Sequence, residues 1–151
     1  VTGSIEAFRK KWLARLNRGA RTTLEHASID WVPGLHSAVA DKFVTGLGFK
    51  AIGFNWELLD ASPDASGPRV ALTQLTEAFA NDISNPSNVW LGTEEARECA
   101  RDFLAAFDPA TRTVVSNRYD GLWNPVSGAS VEWGFVAYDA ERIALLLIAD
   151  A

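Results

Sequence analysis

Ile5, Phe8, Trp12 and Leu16 recur at spacings of three and four behind Ser4. This predicts an amphipathic helix capped by the serine and stopped near Gly19. Arg9, Lys11, Arg15 and Arg18 fall largely elsewhere on that wheel. Residues 20–34 are ambiguous: 24–29 accommodates a short helix, and Asp30-Trp31-Val32-Pro33-Gly34 closes in a turn signal. Leu35, Val39, Phe43 and Val44 return to helical spacing before Gly46 and Gly48. Ile52, Phe54, Trp56 and Leu58 then alternate with Gly53, Asn55 and Glu57, which predicts a strand with one wet face and leaves a helix open. Residues 61–68 (ASPDASGP) read as a loop. Leu72, Leu75, Phe79 and Ile83 predict a helix over 70–83, broken at 85–88. Thr93 reads as the cap of another helix, with Glu94 and Glu95 early and Ala96, Cys99, Ala100, Phe103 and Phe107 on one face. The tail is β-rich: a strand over 113–119, a loop over 120–125, and strands 131–138 and 142–149 forming a hairpin across 139–141. Residues 143–148 are apolar at successive positions, as in a strand covered on both faces. The layout predicts an α+β chain with N-terminal helices packed on a C-terminal antiparallel sheet, two layers in a single domain over 1–151.

Composition narrows the class. The 151 residues fit one domain, and 48% hydrophobic with 22% charged residues excludes collagen, coiled coil and wholesale disorder. No apolar run reaches the roughly 18 residues that suggest a membrane span. Cys99 is the lone cysteine, which excludes an internal disulfide and a thiolate zinc cluster. The start VTGSIEAFRKK lacks the pattern of a secretory signal, so the expected location is cytoplasmic. The net charge of -5 is unevenly spread. Residues 1–21 carry six cations against Glu6, a balance of +5, so the remainder sums to -10. Such a domain repels nucleic acid and anionic membranes and attracts a basic protein.

Catalytic motifs are absent. There is no phosphate-binding GxxxxGK[ST], no dinucleotide GxGxxG between strand and helix, and no GxSxG elbow. No cofactor is implied. His26, Asp30 and His36 form the one candidate metal or catalytic set: on a helix the first two share a face, and His36 could approach after the turn. With only two histidines in the chain, chance proximity in sequence is an adequate explanation. Cys99 sits on an apolar helix face and reads as a buried structural thiol. Glu94/Glu98 and Glu95/Asp102 pair carboxylates at a helix start, where they complement the dipole and face water beside Arg97 and Arg101. Among six tryptophans, Trp123 divides evenly between a binding anchor and a core cap, and the others read as core. The candidate partner-binding cluster is Asp120, Trp123, Glu132, Asp139 and Glu141, an acidic sheet face with an aromatic anchor.

The acidic, cysteine-poor, tryptophan-rich profile and the closing segment SVEWGFVAYDAERIALLLIADA resemble the immunity proteins of bacterial polymorphic-toxin and contact-dependent inhibition systems. The resemblance covers the overall profile and about the last forty residues, with no diagnostic motif. It implies a non-catalytic protein that neutralises a basic toxin domain in a tight stoichiometric complex. Two other classes stay open. One is a secretion chaperone or adaptor. The other is a small enzyme or ligand binder with a pocket under the sheet, lined by Trp56, Tyr119 and Trp133 with His26 or His36 as a polar group.

Overall fold

The computed structural model describes residues 4–29, 34–63, 65–119 and 122–150. Ser4 caps the first helix as its spacing predicts, with Oγ accepting from the Ala7 N–H at 3.0 Å. That helix runs as α1 (Ile5–Phe8), a π-helical stretch Arg9–Leu13, and α2 (Ala14–Gly19). It is followed by β1 (Arg21–Ser28), α3 (His36–Gly46), β2 (Glu57–Leu59), α4 (Ala71–Ala80) and α5 (Thr93–Leu104). The chain closes with β3 (Thr113–Ser116), β4 (Arg118–Tyr119), β5 (Leu122–Trp123), β6 (Glu132–Tyr138) and β7 (Arg142–Ala149).

β1, β7, β6, β3 and β2 form one antiparallel sheet in that order, and β4 and β5 a separate small ribbon. The chain is therefore α+β, helices packed on an antiparallel sheet whose central strands come from the C-terminal part. On the main helical face, Phe8, Trp12 and Leu16 join Leu75 and Phe79 of α4 and Phe103 of α5 over Phe135, Leu146 and Ile148. On the other face, Val39, Ala40 and Val44 of α3 pack with Trp56 over Val115, Val136, Leu145 and Leu147. The apolar run 143–148 is thus covered on both sides, with alternate side chains entering the two cores.

Several boundaries differ from the sequence pattern. Residues 24–29 do not form a helix; 21–28 are strand, paired end to end with β7 from Arg21↔Ala149 to Ser28↔Arg142. The pattern is weak there because β1 is an edge strand whose last four residues are exposed. The alternation from Ile52 to Leu58 is not a strand. Gly53–Asn55 is a 3-10 turn, with Gly53 in the left-handed region at φ 63°, and only Glu57–Leu59 is strand. Asp41 imposes the turn: its carboxylate accepts from Ile52 N, Gly53 N and Trp56 Nε1 at 2.9, 2.8 and 2.8 Å. Trp56 is buried as a result, while Phe54 is 87% exposed. α4 ends at Ala80 rather than residue 83, because Ala80 O accepts from Trp90 N and Gly92 N. Thr93 is the first helical residue of α5 and not its cap; Gly92 holds that place. The expected strand 113–119 is interrupted at Asn117, whose N–H donates to Gly134 O. Leu122 and Trp123, expected in a loop, pair with β4.

Candidate functional site

The acidic cluster expected on one outward sheet face does not assemble. Glu132 opens β6 and Asp139 follows its end. Seven residues of extended chain put them roughly 23 Å apart. Both point inward. Glu132 is fully buried, and its Oε2 accepts from Asn117 Nδ2 and Val126 N, each at 2.9 Å. Its Oε1 accepts from Ser127 N at 3.1 Å and from Ser127 Oγ at 2.6 Å. Asp139 is also buried, and it ties the hairpin turn by accepting from Asp108 N, Glu141 N and Arg142 N at 2.8–2.9 Å. The two carboxylates read as outward because both sheet faces are covered and the chain folds over each end of β6. Glu141 is exposed and Trp123 half-buried. Asp120 lies outside the described residues.

The histidine set fares similarly. Asp30 lies outside the described residues. His26 is on β1, with Nε2 2.6 Å from Glu6 Oε1, and His36 is the first residue of α3. Among the described residues no three His, Cys, Asp or Glu side chains group as a metal site. Cys99 is buried, and desolvation pushes its thiol well above the ordinary range. The acids of α5 are matched by the basic first helix. Lys11 pairs with Glu98 and Asp102 at 3.3 and 3.0 Å, Arg15 pairs with Glu95, and Trp12 Nε1 donates to Asp102 at 2.8 Å. Among the described residues no helix is long and apolar enough to cross a membrane.

The structure instead presents a groove of about 580 Å³ where α4 and the chain after it pass over the β2–β3–β6 end of the sheet. Glu57 enters from β2, Gln74 and Glu77 from α4, Asp82 from the turn that follows, Arg118 from β4 and Trp133 from β6. Pro68 and Arg69 close one side and Ile83 and Pro86 another. Of the residues named from the sequence as a potential pocket lining, Trp133 is here, and Trp56 belongs to the opposite core. No histidine or cysteine lines the groove.

Arg118 is the central group. Its guanidinium lies over the Trp133 indole, Cζ to ring centroid 4.3 Å, and the Trp133 ring stacks on Phe135 at 5.6 Å. Nε and Nη2 both donate to the Glu132 carbonyl oxygen, at 3.2 and 3.1 Å. Ser116 Oγ accepts from Trp133 Nε1 at 3.0 Å and from Arg118 N at 3.1 Å, which fixes ring and guanidinium together. Burial lowers the Arg118 pKa, and the Glu132 charge pulls it back up. Glu57 is ion-paired with Arg69 Nη1 at 3.3 Å. Gln74 Nε2 donates to Pro68 O at 3.0 Å, while its buried Oε1 has no partner. The groove was not legible from sequence. Its residues come from β2, α4, β4, β6 and the two connections that flank α4, and none belongs to a spaced motif. The one available signal was an arginine two residues before the loop 120–125, in a predicted strand with no other charged residue.

The sequence matches no protein-family model, and no curated protein and no solved structure matches the chain.

Proposed function

We propose that this chain is a non-catalytic binding protein of the immunity type, which neutralises a bacterial toxin by a tight stoichiometric complex. One observation carries the reading. Glu57, Glu77 and Asp82 converge on a single open groove, and among the described residues neither Glu77 nor Asp82 is paired with a cation. The acids of α5, in contrast, are partly consumed by Lys11 and Arg15. The unspent negative charge therefore gathers at a concave surface, where it can steer and hold a basic partner. Glu141 and Trp123 supply further contacts outside the groove, and the expected partner is a basic protein domain.

The test begins with co-purification from the source cells, followed by sizing and identification of what is bound. A one-to-one complex with a basic domain is expected. Reversing the rim charges with Glu77→Lys and Asp82→Lys should weaken that complex at least tenfold, about 1.4 kcal/mol. Glu94→Lys, on the α5 surface, should change it little. Equal affinity for the reversed rim, or a bound partner that is acidic, overturns the reading.

A further inference from the structure

We propose that the groove is a binding site for a carboxylate whose carrier also bears a positive group, with the carboxylate on Arg118 and the cation against Glu77 and Asp82. The inference concerns the same groove but does not require the occupant to be a toxin.

Arg118 is a half-buried cation without a matching acid among the described residues. Among the described residues no carboxylate oxygen lies within ion-pairing distance of its guanidinium. The buried Glu132 carboxylate, the charge that acts on it, spends its oxygens on Asn117, Val126 and Ser127. Among the described residues the guanidinium's hydrogen-bond acceptor is the Glu132 backbone carbonyl, through Nε and Nη2. Among the described residues Nη1 has no hydrogen-bond partner, although Arg118 lines the groove. Burying a charge is costly unless it is paired, and partial burial lowers the Arg118 pKa. The stacking on Trp133 and the paired donation to one carbonyl hold the planar fork in place before anything binds. A pre-oriented, partly desolvated guanidinium with donors to spare is the group that recognises a carboxylate or phosphate.

The rim selects between these. Three carboxylates face two arginines in the lining, and Glu57 is already matched with Arg69. A dianion would meet repulsion from Glu77 and Asp82. A monoanionic carboxylate with its own ammonium or guanidinium satisfies both ends. A volume of about 580 Å³ accommodates an amino acid or the end of a peptide.

The test is NMR titration of the full ¹⁵N-labelled chain, reading Arg118 Nε–H and Trp133 Nε1–H at constant ionic strength. The probes are sodium chloride, acetate, succinate, inorganic phosphate, glycine, β-alanine and 5-aminopentanoate. Saturable shifts are expected with at least one zwitterion, about tenfold tighter than with succinate or phosphate, and none with chloride. Arg118→Gln should abolish saturation. Arg118→Lys, which keeps the charge and loses the fork, should weaken it about tenfold. Should Arg118→Gln fail to fold, the surface variant Glu77→Gln/Asp82→Asn serves: it should remove the advantage of zwitterions over acetate. Two peptides locate the source, N-acetyl-Gly-Lys with a free C-terminus and N-acetyl-Asp-Lys-amide. Tighter binding of either than of the free amino acids supports a protein-borne carboxylate, and the reverse supports a small metabolite. The proposal is overturned if no probe moves Arg118, if phosphate binds tighter than every zwitterion, or if Arg118→Gln titrates like the wild type.

Discussion

Glu132 shows how a single carboxylate can serve as a keystone. It is fully buried, and its two oxygens take four hydrogen bonds that fix the chain at 126–127 against Asn117. Glutamine would set an NH2 group against N–H donors that need an acceptor. Glu132→Gln is therefore expected to cost about 3 kcal/mol in urea unfolding, whereas the exposed Glu141→Gln should change stability by less than about 0.5 kcal/mol. Asp139 makes a pH-dependent contribution. Burial alone would raise its pKa, but the N–H groups of Asp108, Glu141 and Arg142 and the Arg142 charge outweigh it and hold it below 3.8. A carboxylate that binds its proton more weakly when folded stabilises fully above its unfolded pKa. That contribution is lost as pH falls from about 4 through the depressed folded value. Asp139→Asn should thus flatten the acid limb of the stability profile, checked by unfolding between pH 2 and 6. The pattern Val131-Glu132-Trp133 read as acid-out, and no local signal distinguishes that case from a carboxylate received by a folded-over loop.

At the level of elements, legibility followed burial. α5 and the β6–β7 hairpin were readable because their apolar positions all enter cores, at helical period in one and on both faces in the other. β1 was not, since only Thr22 and Leu24 are buried along it and its pairing with β7 is set by partners more than a hundred residues away. The turn at 52–56 misled because Phe54 fits an alternation that Asp41 and Gly53 override. The seam between α2 and the connection preceding α5 depends on one missing side chain. A Cβ on Gly19 would lie 2.0 Å from Trp90 Nε1, inside the indole. The neighbour is a rigid ring, so the backbone must yield. Gly19→Ala is expected to destabilise by about 1–3 kcal/mol. In a Trp90→Ala background the same change should cost much less, giving a coupling of about 1 kcal/mol or more in a double-mutant cycle. Additive effects would mean that the indole does not set the cost.

For the molecule as a whole, the first helix does two tasks that its charge layout explains. On one side Lys11 and Arg15 meet the acids of α5, so the excess of +5 in residues 1–21 is partly neutralised within the fold. On the other side the same helical segment guards the sheet. β1 is an edge strand of eight residues, paired only with β7, and an unpaired edge of that length is a template for other strands. Asn17 Oδ1 accepts from Thr22 N at 2.8 Å, and Arg9 Nη2 donates to Leu24 O at 2.7 Å. Thr22 and Leu24 lie two apart, so these are backbone groups of one strand edge, and both are occupied by side chains before another chain can use them. Glu6 adds a charged contact to His26 farther along. Removing the block should therefore expose pairing capacity without emptying the core. The Arg9→Ala/Asn17→Ala double variant is expected to keep the native circular dichroism spectrum while increasing concentration-dependent self-association over wild type in light scattering. Adding a charge back on the same edge, with Ala27→Lys, should reverse that gain. Self-association that is unchanged in the double variant would place the protection of this edge elsewhere, in the charges of Arg21 and Glu25 on the strand itself.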